Sequence, residues 1–167
     1  MPDGIAGELI HAFKYEGWWR LADDLAARIA RLAWPGDVMV ERAALIPVPL
    51  AARRLRQRGF NQSDVLAESL ARSWGLPVWR EVLVRTRFTS SQTRLTPEQR
   101  LHNVAGAFHV TGDVARLRGT HVLLVDDVVT TAATMNACAA ALFAGGARII
   151  SYVTFGRARL PGDAPIE

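Results

Sequence analysis

The sequence predicts an α/β fold in which a mostly parallel central sheet is flanked by helices. The apolar run Val122–Val125 lacks the polar alternation of a strand with one wet face, so it predicts a strand covered on both sides. Predicted strands alternate with predicted helices along the chain, which favours parallel pairing through right-handed crossovers. The length of 167 residues, with 50% hydrophobic and 22% charged residues, fits a folded chain with a substantial core. We therefore expect Val122–Val125 at the centre of the sheet.

The first half of the chain is predicted to contain two helical regions separated by a strand. Apolar residues at helical spacing cover residues 5–34, where Leu21, Leu25, Ile29 and Leu32 share a face, and Pro35–Gly36–Asp37 ends this region. The remaining elements predicted here are a strand over 43–48, a helix over 63–74 and a strand over 78–85.

The second half begins with a polar stretch over 87–96, whose length is typical of an active-site flap, although a disordered insertion fits it as well. The predicted elements that follow are a short helix over 97–103, a strand over 107–110, the strand over 122–125, a helix over 132–144 and a strand over 148–155. The 132–144 helix is almost all small or apolar, so we expect it to lie buried on the sheet. Residues 1–156 are predicted to form one domain and 157–167 a flexible tail.

Charge and cysteine content narrow the functional classes. The formal net charge is +4 and nineteen of the twenty basic residues are arginine, which suits a diphosphate ligand, nucleic acid or both, although a genomic bias toward arginine codons would give the same composition. The single cysteine, Cys138, excludes an internal disulfide and a cysteine zinc site, and we expect it in the core. No apolar window long enough to span a membrane and no basic-then-apolar leader occurs, so the expected location is cytoplasmic.

The strongest motif joins the central strand to a helix. Asp126 and Asp127 follow the strand, and Thr130 and Thr131 are good residues for a helix start. The carboxyl end of a parallel strand is where α/β proteins bind ligands; a helix N-terminus suits phosphate, and carboxylates suit sugar hydroxyls or hydrated Mg²⁺. An ordinary turn with two solvated acids would show the same pattern. A Walker B strand is excluded, because the only lysine, Lys14, follows no glycine loop.

An arginine run follows the predicted strand over 43–48. Arg53, Arg54, Arg56 and Arg58 lie within six positions, and on a helix Arg54 and Arg58 share a face. Gly59 ends this turn. The next three residues, Phe60–Asn61–Gln62, supply one apolar side chain and two amide side chains that suit ligand contact. A solvated helical turn is the alternative interpretation.

Several motifs together identify a family resemblance. In order, the chain contains Pro47–Val48–Pro49, Arg58–Gly59–Phe60–Asn61–Gln62, Arg85–Thr86–Arg87 with Ser91–Gln92, the spaced set Arg100, Asn103 and Gly106–Ala107–Phe108, and Val125–Asp126–Asp127–Val128 with Thr130–Thr131. This order resembles the ComF family of competence-associated, GntX-like phosphoribosyltransferase-type proteins over roughly residues 10–156, including Phe13–Lys14–Tyr15. The resemblance implies a type I phosphoribosyltransferase-like fold.

Two features of the sequence depart from the family pattern. Many members begin with a four-cysteine zinc ribbon, whereas this sequence holds one cysteine, so zinc-dependent DNA contact is not implied. The family's phosphate loop reads Thr-Thr-Gly, and here Ala132 stands in the glycine position. Because Ala132 falls at the start of a predicted helix, we expect a negative φ there and an Ala132→Gly effect on ligand affinity within about threefold.

The resemblance implies that the ligand is phosphoribosyl diphosphate (PRPP) with Mg²⁺ carried by the substrate, so no protein metal ligands are expected. Asp126 and Asp127 would hold the ribose hydroxyls as the catalytic pair. The 5′-phosphate would bind Thr130, Thr131, Ala132, Ala133 and Thr134, and the diphosphate would bind Leu50, Ala51, Ala52, Arg53 and Arg54. Further candidates are Lys14, Arg58, Asn61, Gln62, Arg85 and Gln92.

Two functional classes remain open on the sequence. One is a phosphoribosyltransferase-type protein, associated with competence and DNA uptake, that transfers or senses the phosphoribosyl group. The other is a non-enzymatic accessory protein that keeps the fold and binds single-stranded DNA or DNA-uptake proteins through its arginine run. The acceptor base and the oligomeric state are not indicated by any motif.

Overall fold

The computed structural model describes residues 21–86, 106–129 and 132–157. The helices and strands in this part of the chain are α1 (Leu21–Ala30), α2 (Gly36–Glu41), β1 (Arg42–Pro47), α3 (Ala52–Arg58), α4 (Gln62–Trp74), β2 (Leu83–Arg85), β3 (Phe108–Val110), a 3₁₀ helix (Val114–Leu117), β4 (His121–Val129), α5 (Ala133–Ala144) and β5 (Ile149–Arg157). No helix within these ranges is long and apolar enough to cross a membrane.

The main sheet has the order β1–β4–β5, and both pairs are parallel. Strand β4 is therefore central, as the apolar run predicts. Strands β2 and β3 form a separate antiparallel pair. The expected α/β architecture with a parallel core is confirmed.

Both faces of β4 are covered by apolar side chains. Val122 and Leu124 belong to the cluster formed with α5 and the β2–β3 pair, whereas Leu123 and Val125 pack with α1 and α4. Each of these four side chains is at most 1% exposed. Burying an aliphatic side chain of this size contributes about 1.5–3 kcal/mol, so this strand anchors the domain.

Helix α5 packs against the sheet with one of its faces. Its buried residues include Met135, Cys138 and Leu142, whereas Phe143 is 52% exposed. Cys138 is a core residue, as expected, and burial together with the charge of Asp126 raises the pKa of its thiol. A protonated, enclosed thiol is a poor nucleophile, so Cys138 has a packing role.

Two local predictions from the sequence are wrong, and one element was not predicted. A separate short helix, α2, begins directly after Pro35, which is tolerated at a helix start. Leu32 lies beyond the end of α1 and is 61% exposed, so it is not on the apolar face. The strand predicted over 78–85 is reduced to β2 and an isolated bridge between Leu45 and Val78.

The prediction for Ala132 is also wrong. Its φ is +56° and its ψ is 2°, and it is the only non-glycine residue with positive φ in the described part of the chain. Only three residues separate β4 from α5, so the short connection overrides the helix preference of alanine at this position. A left-handed conformation costs an L-residue about 1–2 kcal/mol, so Ala132 carries backbone strain.

We expect Ala132→Gly to raise the melting temperature by about 2–4 °C, because glycine accepts positive φ without a Cβ penalty. The variant Ala140→Gly is the matched control. Ala140 is an exposed residue in the interior of α5, where glycine is a poorer helix former than alanine, so that variant should lower the melting temperature. Thermal unfolding followed by circular dichroism measures both, and two shifts of the same sign would contradict the strain at Ala132.

Candidate functional site

A cleft opens where β1 and β4 part. The pairing of β1 with β4 ends at Pro47 opposite Val125, whereas β4 continues beside β5 as far as Val129. The chain after β1 turns away into Val48, whose N–H still bonds the Val125 carbonyl at 2.9 Å, and then into α3. Beyond Val125, one side of β4 therefore faces a cleft instead of a neighbouring strand, which is the position where open α/β sheets bind ligands.

The cleft is lined by five segments and by one residue of β2. The lining residues are Val48, Pro49, Leu50, Arg54, Arg58, Asn61, Gln62, Ser63, Arg85, Asp126, Asp127, Val128, Val129, Ala132, Ala133, Thr134 and Met135. Polar and charged side chains from both halves of the chain thus meet in one place.

The two carboxylates are held in fixed orientations. Asp126 Oδ1 accepts a hydrogen bond from Ser63 Oγ at 2.8 Å and another from the Asp127 N–H at 2.9 Å. Asp127 Oδ1 accepts from the Val128 N–H at 2.8 Å. Both aspartates are half-buried. One oxygen of each carboxylate is therefore anchored by the protein, which pre-orients the group toward a ligand.

The start of α4 connects the carboxylates to the segment after β1. Asn61 caps this helix by accepting the Ser63 N–H on Oδ1 at 3.3 Å, and its Nδ2 donates to the Val48 carbonyl at 3.0 Å. Ser63 is 4% exposed and reaches from the same turn to Asp126. Asn61 and Ser63 therefore fix the spacing between the two sides of the cleft.

Helix α3 divides its four arginines between the cleft and the outside. Arg54 and Arg58, one helical turn apart, line the cleft and are half-buried. Arg53 and Arg56 are exposed and are not among its lining residues. Two cationic side chains of α3 thus line the cleft.

Arg85 adds a third cation from β2. Its guanidinium carbon lies 5.3 Å from the centroid of the Phe108 ring, a cation–π distance. Burial, and in addition repulsion by Arg54, lowers the pKa of the Arg85 guanidinium. An arginine remains a cation at neutral pH despite such a shift, so the cleft holds a compact positive field.

The opposite wall is the start of α5. Ala132, Ala133 and Thr134 line the cleft at this helix N-terminus. The first N–H groups of a helix and its positive dipole end favour an anion. Within the described ranges no group of three or more histidine, cysteine or acidic residues could hold a metal ion.

The structure brings together most of the side chains selected from the sequence. Those lining the cleft are Leu50, Arg54, Arg58, Asn61, Gln62, Arg85, Asp126, Asp127, Ala132, Ala133 and Thr134. Ala51, Ala52 and Arg53 lie beside it without being among its lining residues. Lys14, Gln92, Thr130 and Thr131, and the flap predicted over 87–96, are outside the described residues.

Several lining residues were not selected from the sequence. They are Val48, Pro49, Ser63, Val128, Val129 and Met135. Of these, only Ser63 offers a polar side chain. The position of Ser63 directly after Asn61–Gln62 could have predicted its place in the cleft, because the second residue of a helix lies near the helix cap.

We expect Ser63→Ala to weaken binding of an anionic sugar ligand about tenfold, since Asp126 loses the donor that orients it. Ser69→Ala is a matched control, because Ser69 is also buried on α4 and donates to an aspartate, Asp23, at 2.7 Å. Both variants should lose similar stability, but Ser69→Ala should keep its affinity within twofold. Equal affinity losses in calorimetric titrations would show that Ser63 acts only through stability.

The combination of fold and cleft defines a class. The parallel sheet places two carboxylates at the end of its central strand, in a cleft that arginines and a helix N-terminus also line. This is the architecture of phosphoribosyltransferase-type proteins. A sequence model of the phosphoribosyl transferase domain matches residues 38–163, and the chain belongs to that family.

Similar proteins support this assignment and confirm the resemblance to the ComF group. The chain is 40% identical over 150 residues to the DNA utilization protein YhgH of Escherichia coli K12, a match that covers 85% of this chain and 63% of that protein. It is 33% identical over 132 residues to competence protein F of Haemophilus influenzae, covering 77% and 57%. The chain therefore spans less than two thirds of the length of these relatives.

A solved structure shows the same fold at low sequence identity. The glutamine PRPP amidotransferase of B. subtilis, determined with ADP and GMP, superposes with a TM-score of 0.52 and 17% identity. The match covers 82% of this chain and 26% of that one. The likeness concerns the fold.

Proposed function

We propose that this protein binds PRPP with Mg²⁺ in the cleft and transfers or senses its phosphoribosyl group. The observation that carries the proposal is the presence of both signs of charge in one cleft. Asp126 and Asp127 from β4 and Arg54 and Arg58 from α3 all line it. A ligand that joins sugar hydroxyls to phosphates at both ends satisfies both sets of groups, whereas a simple anion would be repelled by the carboxylates.

Each wall of the cleft has a part in this proposal. The carboxylates of Asp126 and Asp127 accept the ribose hydroxyls, and the start of α5 with Thr134 holds the 5′-phosphate. Leu50, Arg54 and Arg58 meet the diphosphate, with guanidinium groups suited to bidentate phosphate contact. Mg²⁺, when bound with the substrate, supplies charge neutralisation to the diphosphate oxygens.

The chemistry of a transfer reaction would be displacement at the anomeric carbon. A nitrogen of the acceptor forms the new bond to that carbon and releases its proton to water, and the bond to the diphosphate oxygen breaks with its electron pair leaving on diphosphate. Catalysis would consist of positioning and charge stabilisation by the residues that hold the two ends. The contribution of this chain is thus a rigid frame set by Asn61 and Ser63.

Turnover is tested by measuring diphosphate release from PRPP and Mg²⁺ with a panel of nucleobases and simple amines. Release that depends on one acceptor supports a transferase. Saturable PRPP binding without release for any acceptor supports a sensor. Absence of both binding and release contradicts the proposed function.

A second candidate function is binding of single-stranded DNA. The observation that favours it is the outward face of α3, where Arg53 and Arg56 are exposed, together with relatives named for DNA utilization and competence. Phosphate contacts of this kind make affinity fall steeply with salt. Absence of single-strand binding would exclude this function, and a flat salt dependence would exclude phosphate contacts by Arg53 and Arg56.

A further inference from the structure

Gln62 is a buried amide beside the candidate ligand. It is the first residue of α4, is 2% exposed, and lines the cleft. Its Nε2 is enclosed and has no hydrogen-bond acceptor among the described residues. An amide that is almost fully buried while its donor stays unused is uncommon in folded proteins.

The residues on either side of Gln62 donate hydrogen bonds within the protein, whereas Gln62 Nε2 has no acceptor among the described residues. Asn61 donates to the Val48 carbonyl, and Ser63 donates to Asp126. Gln62 therefore stands between a residue that fixes the segment after β1 and a residue that fixes a carboxylate. Its own donor is held in place by the rigid first turn of α4.

An unused buried donor destabilises the folded protein, because the group has lost its water without gaining a partner. A methionine of similar length and volume would fill the same space without this cost. Local violations of folding preference of this kind are typical of functional positions. The energetic cost at Gln62 is recovered if a ligand brings an acceptor.

We propose that the Gln62 side-chain amide donates a hydrogen bond to an oxygen of the bound sugar diphosphate. This inference rests on the proposed function and adds a neutral, directional donor to the charges of Arg54 and Arg58. The acceptor is either an oxygen of the diphosphate or a hydroxyl oxygen of the ribose. Both are oxygen acceptors in the same part of the cleft, and the fragments named below distinguish them.

The test compares Gln62→Met with Gln57→Met in the full chain. Gln57 is an exposed residue of α3, so the same chemical change is made outside the cleft. We expect Gln62→Met to raise the melting temperature by about 3 °C while weakening PRPP affinity at least tenfold. Gln57→Met should change neither quantity. A gain in stability together with a loss of binding is a signature that a merely structural glutamine would not give.

A second variant keeps the test decisive if methionine is not accommodated. Gln62→Leu stays uncharged and apolar and removes both N–H donors. It should also lose at least tenfold in PRPP affinity. Titrations of both variants with inorganic diphosphate and with ribose 5-phosphate identify the oxygen that accepts the hydrogen bond. The variants should lose affinity only for the fragment that contains this oxygen.

The outcomes separate this inference from the proposed function. If the wild-type protein binds PRPP and Gln62→Met binds it equally well, the inference is overturned and the proposed function stands. If the wild-type protein binds neither PRPP nor either fragment, both are overturned. Tenfold or greater losses confined to the Gln62 variants support the inference.

Discussion

Replacing Arg54 and Arg58 together with glutamine is expected to weaken PRPP binding about a hundredfold or more. Each guanidinium faces the cleft, and a hydrogen bond between charged groups contributes about 1.5–3 kcal/mol. Glutamine keeps a polar side chain with N–H donors, but it is shorter than arginine and removes the charge. Two such losses amount to at least about 3 kcal/mol, which corresponds to two orders of magnitude in the dissociation constant. Isothermal titration calorimetry at constant salt measures the change.

The matched control uses the same helix. Arg53→Gln with Arg56→Gln removes the same charge from the exposed side of α3, so PRPP affinity should stay within about threefold. Equal losses in the two double variants would indicate a general electrostatic field and contradict direct contact by Arg54 and Arg58. Single-stranded DNA binding, if present, should instead lose salt dependence when the exposed pair is replaced.

The second large effect concerns the carboxylates. Asp126→Asn with Asp127→Asn should lower PRPP affinity by about 1–3 kcal/mol, roughly ten- to hundredfold, because the ribose hydroxyls lose charged acceptors. Stability should change little, since each asparagine keeps the Oδ1 acceptor that the protein itself uses. Thermal unfolding checks the fold, and calorimetric titration checks the affinity.

A control for this variant is also available on α1. Asp23 accepts a hydrogen bond from Ser69, as Asp126 does from Ser63, but it lies on α1 and outside the cleft. Asp23→Asn should leave PRPP binding unchanged. Unchanged binding in the Asp126 and Asp127 double variant would remove these acids from the site.

The central strand and the position of the site were predictable because local signals and tertiary structure agree there. The apolar run Val122–Val125 favours a strand covered on both faces. Two acids directly after such a strand lie at the edge where parallel sheets bind ligands. The strand itself continues to Val129, but the acids still lie past the last β1 pairing at Val125.

Features set by tertiary geometry were not predictable. The helical period shows that Arg54 and Arg58 share a face, but not that this face meets the cleft. The Ser63 bond to Asp126 spans 63 positions of sequence, and no local pattern encodes it. Ala132 has positive φ because of the short path between β4 and α5, against the preference of its own residue type.

Titrating the wild-type protein with PRPP in the presence and absence of Mg²⁺ shows whether the cleft is a PRPP site. The expected result is saturable binding of one PRPP per cleft, strengthened by Mg²⁺ and reduced by competing ribose 5-phosphate and inorganic diphosphate. Absence of saturable binding at millimolar PRPP with Mg²⁺, in a sample shown to be folded by thermal unfolding, would contradict the account.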